Sequence, residues 1–384
     1  MIHIYLIGCK GIPARYGGFE TFAEELTARK KSDQIFYHVA CMNEAPDRTH
    51  NGADCFPVKV PNVGAARAIL YDRRAFLHAL EEIREKRCQA VIFVMACRLG
   101  PFFPGLVKKA HKLGVFVCVN PDGHEWLRSK WKPYVRKYWK YSEKKMVRHA
   151  DLLACDSKEM ERYIRTEYAG FEPKTVYLTY GAKSREDEDR EADLRYEAWL
   201  HEKGLSKGEY ALIVGRFVPE NNYAVMLSEY MDSETDYPLC IITDHEGKPF
   251  YEELKERIGF DRDRRILFAG TVYDAPLLSR IRRNAFCYLH GHEVGGTNPS
   301  LLEALAETEV NLLLDVPFNR EVGEDAALYF TKERGSLSSL LNRCRELGEE
   351  ERRSFGEAAK KRIRENYSWE RITAQYEAFW EKCL

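Results

Sequence analysis

Short, wholly apolar runs recur along this chain, spaced so that one amphipathic helix fits between each pair. They fall at 2–8, 35–41, 56–60, 90–96, 115–120, 151–155 and 175–179, with helical periodicity at 19–30 and 73–87. In the first helix Phe19, Phe22, Ala23 and Leu26 stand at i, i+3, i+4 and i+7. A strand that is apolar on both faces must be covered on both, and parallel strands need a crossover long enough to hold a helix. The alternation therefore predicts parallel βαβ units with helices on both sides of a sheet. A charged stretch, "SREDEDREADLRYEAWLHEKGLSKGE", interrupts it, and it restarts with "YALIVGRF", "PLCIITD", "RILFAG", "AFCYLHG" and "VNLLLDV". At 384 residues the chain is long for one core, so two α/β domains are expected. Their boundaries read as 1–185, a linker at 186–207, 208–365, and a closing helix at 366–384 that carries Trp369, Ile372, Tyr376 and Trp380.

Composition narrows the function classes. A net charge of −1 makes no case for nucleic acid as a partner. The eleven cysteines form no C-x-x-C pair and several sit inside apolar runs, so a disulfide framework is not expected and a reducing cytoplasm is. The longest apolar run, "AVIFVMAC", is far short of the roughly 20 residues of a membrane span.

Ligands of open α/β sheets sit beyond the carboxyl ends of the strands, and the chemistry-bearing motifs fall there. "IGCKGIPARYGGFETFAEEL" joins the first strand to the first helix through Gly8, Gly11, Gly17 and Gly18. It lacks G-x-G-x-x-G, and no acid ends the second strand, which argues against a nicotinamide cofactor. Gly17-Gly18 at a helix start suits an anion, or is an ordinary tight turn. "HGHEVGGTNPSLLEALAE" ends a strand at His290, frees the backbone at Gly295 and Gly296, offers Thr297 or Asn298 as a cap, and starts a helix at Pro299. Glu303 lies about one turn inside, where it could meet a ribose diol. Arg216 in "VGRFVPENNY" could neutralise a departing diphosphate. "NPDGHEW" gathers Asp122, His124 and Glu125 after a strand, and Asp156 and Tyr180 end two others; a general-base or hydrogen-bonding role fits them. Two Asp-x-Asp matches, Asp187-Glu188-Asp189 and Asp261-Arg262-Asp263, lie in charge-rich runs, and neither reads as a metal site.

One stretch stands apart from the neutral average. "WLRSKWKPYVRKYWKYSEKKMVR", residues 126–148, interleaves nine Lys or Arg with Trp126, Trp131, Tyr134, Tyr138, Trp139 and Tyr141, against the single acid Glu143. It suits an anionic bilayer, with rings at the headgroups and cations on phosphate, or else a solvated helix face backed by core aromatics.

Together these motifs resemble a retaining GT-B glycosyltransferase of the mannosyltransferase and sucrose-synthase superfamily. More narrowly the chain resembles streptococcal-type rhamnosyltransferases that act on lipid-diphosphate-linked sugars. The likeness rests on "KGIPARYGGFETFAEEL", "NPDGHEWLRSKW", "VGRFVPENN", "HGHEVGGTNPSLLEALA", "DVPFNREV" and "YSWERITAQYE", and runs nearly end to end. It implies two Rossmann-like domains facing across a cleft, acceptor side first and nucleotide sugar second, with the last helix crossing back to the first domain. It implies a dTDP-L-rhamnose donor, a polyprenyl-diphosphate-linked glucose or N-acetylglucosamine acceptor, no cofactor, no metal, and a cytoplasmic protein peripheral on the inner face of the cell membrane. Donor binding falls to Gly17, Gly18, Arg216, Glu293, Gly295, Gly296, Thr297, Asn298 and Glu303. Asp122, His124 and Asp156 take the catalytic positions. Arg15, Glu125, Lys130, Tyr180 and Asn221 become diphosphate or acceptor contacts.

The chain departs from the superfamily pattern at two places. Eight positions before Glu303, where a second glutamate is usual, stands Gly295, and Glu293 is the acid nearest to replacing it. The lysine usual five positions after the arginine is Asn221, which leaves Arg15 or Lys10 to assist the leaving group. A sugar-nucleotide epimerase and a non-catalytic sugar-nucleotide sensor stay open as alternatives.

Overall fold

The computed structural model describes residues 1–15, 17–45, 47–128, 130–183 and 189–383, with Ala65 described by its backbone alone. The chain divides into two compact units, Met1–Gly181 with Trp369–Leu384, and Ala182–Ser368. In the first unit the order is β1 (Ile2–Ile7), α1 (Gly18–Ala28), β2 (Ile35–Met42), β3 (Thr49–His50), β4 (Ala53–Val58), α2 (Arg67–Lys86), β5 (Gln89–Met95), α3 (Phe103–His111), β6 (Phe116–Asn120), α4 (Pro133–His149), β7 (Leu152–Cys155), α5 (Lys158–Glu167) and β8 (Thr175–Tyr177). These strands form one sheet in the order β3-β4-β2-β1-β5-β6-β7-β8. Every pairing is parallel except that of β3 with β4.

The interior strands are buried on both faces, as their unbroken apolar runs require. One face is covered by α2 and α3, where Tyr71, Ala75, Phe76, Ala79, Leu80 and Phe103 pack against Tyr5, Ile92 and Val94. The other is covered by α1 and by the closing helix. That helix buries Trp369, Ile372, Tyr376 and Trp380, a spacing that keeps one side of a helix turned inward. Tyr376 meets Phe22 at 5.0 Å and Trp380 meets Phe93 at 5.3 Å between ring centres. The closing helix thus supplies part of the first unit's core.

The second unit runs α6 (Arg190–Lys203), β9 (Ala211–Val214), α7 (Tyr223–Met231), β10 (Leu239–Ile242), α8 (Pro249–Ile258), β11 (Ile266–Gly270), α9 (Ala275–Arg283), β12 (Cys287–His290), α10 (Pro299–Glu307), β13 (Asn311–Leu314), α11 (Pro317–Gly323), β14 (Leu328–Phe330), α12 (Ser336–Glu346) and α13 (Glu349–Asn366), with α14 (Trp369–Lys382) returning to the first. Its parallel sheet has the order β11-β10-β9-β12-β13-β14. In both sheets the strand order reverses beside the first strand of the unit, β1 or β9. That is where a doubly wound sheet opens a crevice at its carboxyl edge.

Two local readings are corrected. The strand expected at 56–60 spans Ala53–Val58 and pairs with a short antiparallel β3. The helix expected at 73–87 starts at Arg67, because "RAIL" already has helical spacing before the charged turn.

Candidate functional site

In the second unit the motif residues converge at the carboxyl ends of β9 and β12. Arg216 follows β9, is exposed, and has no ion pair among the described residues. Asn221 bridges two loops: its Nδ2 donates to the Arg216 carbonyl at 2.7 Å, and its Oδ1 accepts from His292 Nδ1 at 2.7 Å. Asn222 adds a second tie, donating to the Gly291 carbonyl at 2.8 Å. The Glu293 amide donates to the Glu220 carbonyl at 3.1 Å. The loops come so close that a Cβ on Gly291 would stand 2.4 Å from the Asn221 carbonyl oxygen. The Asn221 side-chain amide thus fixes the shape of the Arg216 turn.

Past that crossing, Gly295, Gly296 and Thr297 are buried and Asn298 caps α10, its Oδ1 accepting from the Ser300 amide at 2.9 Å. Pro299 occupies the first helical position, where a missing N–H costs nothing. Ser300 Oγ pins the helix start to the Val214 carbonyl at 3.2 Å, and Tyr288 donates to the same carbonyl at 3.1 Å. Glu303 is partly exposed and pairs through Oε2 with Arg282 Nη2 at 2.6 Å. Arg282 comes from α9 and is itself buried. It holds one carboxylate oxygen and leaves the other available. Glu293 does not stand in the missing glutamate's place unengaged, because Lys332 forms an ion pair with it. His290 is buried at the end of β12, and burial pulls its pKa down to about 3, so it stays neutral.

The first unit's glycine turn proves to be filled from within. The Lys10 amide donates to Glu20 Oε1 at 2.7 Å and the Ala14 amide to Glu24 Oε2 at 3.0 Å. The carbonyls of Gly8 and Cys9 accept from Arg98 at 3.0 Å and from Tyr71 at 2.8 Å. Gly17 has φ of 123°, and a Cβ there would lie 2.0 Å from Glu20 Oε2. The Lys10 and Ala14 amides thus hold two carboxylates of α1, and an outside anion would meet those negative charges first. Gly17 makes the turn into α1, and Gly18 is the helix's first residue. Arg15 is exposed, with no ion pair among the described residues.

A separate group forms at the ends of β6, β7 and β8. Asn120 is buried; its Nδ2 donates to the Tyr180 hydroxyl at 3.2 Å and its Oδ1 accepts from the Asp122 amide at 2.7 Å. Burial, followed by the charges of Asp156 and Asp122, pushes the Tyr180 pKa well up. Burial also raises the Asp122 pKa, opposed by the Arg128 charge. Asp122 and His124 have φ of 57° and 27°, a conformation that side-chain-bearing residues rarely adopt and that concentrates at functional sites. His124 is not shown joining this group: its ring packs on Tyr163 at 4.2 Å and Trp126 at 6.0 Å between centres, and burial lowers its pKa. Glu125 is taken up by Arg128, Lys130 at 3.0 Å and the Trp131 indole N–H at 2.8 Å. It and Lys130 brace the loop that follows.

Of the two acid-rich triplets, Asp187 and Glu188 lie outside the described residues. Asp189 caps α6, Asp261 faces Lys255 at 3.5 Å, and Asp263 pairs with Arg265 at 2.6 Å.

Motif reading passes over Arg98, Asp72, Asn120, Arg282 and His292. The partners that give them roles, Asp72 with Arg98, Tyr180 with Asn120, Glu303 with Arg282 and Asn221 with His292, lie far away in sequence.

These features can be set beside known proteins. A family model described as a domain of unknown function, DUF1972, matches residues 1–183. No curated protein matches the sequence. Among solved structures, the chain superposes on sucrose-phosphate synthase from Thermosynechococcus elongatus with a TM-score of 0.75 and 13% identity, over 100% of this chain and 99% of that one. It superposes on Anabaena HepE in complex with UDP with a TM-score of 0.72 and 11% identity, over 100% of both chains. A glycosyltransferase from Rickettsia africae gives 0.73 and 11%, over 100% and 98%. The fold is that of the GT-B glycosyltransferases, two parallel-sheet α/β domains in one chain.

Proposed function

We propose that the protein is a glycosyltransferase that binds a nucleotide sugar at the carboxyl ends of β9 and β12, with dTDP-L-rhamnose the favoured donor and a polyprenyl-diphosphate-linked sugar the acceptor. The observation that carries this reading is the convergence of Arg216, the 295–298 loop with its capped helix, and Glu303 at one sheet edge. A diphosphate at the start of α10 gains from the helix dipole and from the Arg216 charge, and a ribose diol would meet the Glu303 oxygen that Arg282 leaves uncovered. Breaking the sugar–phosphate bond leaves negative charge on the diphosphate, and fixed donors aimed there lower the barrier. In a same-face transfer the leaving diphosphate oxygen takes the proton of the attacking hydroxyl as the acceptor oxygen bonds to the anomeric carbon. The likeness to HepE, whose structures contain UDP, UDP-glucose, or UDP with glucose, supports a nucleotide-sugar ligand.

The basic aromatic stretch fits a lipid-linked acceptor in a narrower form than its sequence implies. Trp126, Trp131, Tyr138 and Trp139 are partly buried, with the Tyr138 hydroxyl donating to the Arg98 carbonyl at 2.6 Å. Tyr134, Lys137, Tyr141, Lys144 and Arg148 are exposed, and their spacing places them on one stripe of α4. We assign this stripe to an anionic membrane surface. Replacing Lys137 and Lys144 with glutamate should weaken binding to anionic vesicles at least tenfold, at about 1 kcal/mol per basic residue. Raising the salt concentration should release the wild-type protein. Vesicle binding indifferent to both changes would remove the membrane from the proposal.

The direct test is to incubate the protein with radiolabelled dTDP-L-rhamnose and membrane lipid. Transfer moves label into the lipid phase, whereas an epimerase or a sensor leaves it in the aqueous nucleotide pool.

A further inference from the structure

Toward the amino ends of the first unit's strands, away from the groups described above, lies a cluster that the proposed reaction does not use. Tyr5, His38 and Asp54 form one register row across β1, β2 and β4. Glu82, near the end of α2, lies over that row. His38 Nδ1 is 3.0 Å from Asp54 Oδ2 and 3.8 Å from Glu82 Oε2, and one ligand atom from each of the three residues lies within 4.8 Å of the others. Among the described residues this is the one group of three histidine, cysteine or carboxylate side chains brought together at ligand spacing.

We propose that His38, Asp54 and Glu82 form a structural site for a divalent cation of the zinc type. With metal–ligand distances of about 2.0–2.2 Å, neighbouring ligand atoms of a tetrahedral site stand roughly 3.3–3.6 Å apart. The observed 3.0 and 3.8 Å from His38 to the two carboxylates bracket that range, and the third edge, between Asp54 and Glu82, lies within 4.8 Å. One imidazole and two carboxylates supply a borderline donor set with two negative charges, suited to zinc.

Two further observations point to a ligand. The other nitrogen of His38, Nε2, lies 2.9 Å from His3 Nδ1. A metal on Nδ1 puts the remaining proton on Nε2, where it donates to His3; such a hydrogen bond from the second nitrogen is the usual support of a metal-bound histidine. Tyr5 is wholly buried, its ring stacked on His38 at 4.2 Å, and its hydroxyl has no partner in hydrogen-bond geometry although Glu82 is near enough to bear on it. Glu82 Oε2 is likewise shielded from solvent without a hydrogen-bond partner, and a buried carboxylate oxygen left so is costly unless a cation occupies the site. Lys86, paired with Glu82 Oε1 at 3.1 Å, is exposed and leaves Oε2 to the cation.

The test uses the full-length protein, dialysed against a chelator and titrated with Zn²⁺ by calorimetry and thermal unfolding, with Co²⁺ as a spectroscopic probe. The expected result is one equivalent of zinc, a raised unfolding temperature on binding, and a Co²⁺ absorption band of a four-coordinate nitrogen–oxygen site. Glu82→Gln, on a partly exposed helix position, should preserve the metal-free fold and weaken zinc binding at least tenfold, and Asp54→Asn should do the same. Zinc that fails to bind, or binds equally well to Glu82→Gln and Asp54→Asn, overturns the proposal and leaves His38 as a hydrogen-bond bridge between His3 and Asp54.

Discussion

Arg216→Ala should lower sugar transfer by about a hundredfold, with the donor's apparent affinity falling less than kcat. Arg216 is exposed at the end of β9 and has no ion pair among the described residues, so its removal leaves no buried partner exposed and the fold should persist. What is lost is a preorganised charge aimed at the leaving diphosphate; deleting one such donor typically costs about 10²–10³ in kcat, or about 3–4 kcal/mol. Glu303→Ala should lower transfer more than tenfold through ribose binding, and so act more on KM. Arg282 would then lose its carboxylate and be left buried with its charge unmatched, so a modest fall in unfolding temperature should accompany the kinetic change. Steady-state kinetics on both variants, with unfolding scans as controls, check these expectations. Full activity in both variants would mean that the donor binds elsewhere.

Asp72→Ala should destabilise the protein by about 3 kcal/mol. Asp72 is fully buried on α2 and its Oδ2 accepts from Arg98 Nη1 at 3.1 Å, while the same nitrogen donates to the Gly8 carbonyl at 3.0 Å. Removing one partner of a buried ion pair strands the other charge, typically at about 3–5 kcal/mol, and the partial exposure of Arg98 sets the lower end. Burial raises the Asp72 pKa from 3.8 to about 6 against the pull of Arg98. A carboxyl whose folded pKa is raised binds its proton more tightly in the native state. Its contribution is therefore fully present below pH 3.8 and lost as the pH climbs to about 6. Asp72→Asn should flatten that part of the stability profile, a change that unfolding at pH 4, 5, 6 and 7 would reveal. An unaltered profile would mean that Arg98 keeps Asp72 ionised throughout.

The parallel alternation was legible in sequence because a strand covered on both sides has no polar face to hide, as in Ile4–Ile7 and Val91–Met95. The closing helix was legible too, since four large apolar residues on one stripe require a cover. The edge strand β3 was not, because two residues carry no period. The site divides along the same line. The capped start of α10 is local chemistry within "TNPS", and it stands where the motif places it. Glu20 and Glu24 look like exposed acids of an amphipathic helix, and only the turn folding back on them reveals that they fill its amides. Asn221 looks like a missing cation until His292 is brought beside it. Glu125 looks like a free loop acid, yet Arg128, Lys130 and Trp131 all reach it. For Asn221 the deciding neighbour is 71 residues away and is set by tertiary folding, whereas for Glu20, Glu24 and Glu125 it is the path of a local turn, which residue spacing alone does not encode.

The central claim is that the second unit grips a nucleotide sugar by its diphosphate with a guanidinium and the start of a capped helix. A crystal structure of the protein soaked with dTDP-L-rhamnose tests this most directly. The account predicts diphosphate density within hydrogen-bond reach of Arg216 and the 295–298 amides, with the ribose on Glu303. Density on the Gly17–Gly18 turn instead, or anywhere remote from Arg216, would contradict it.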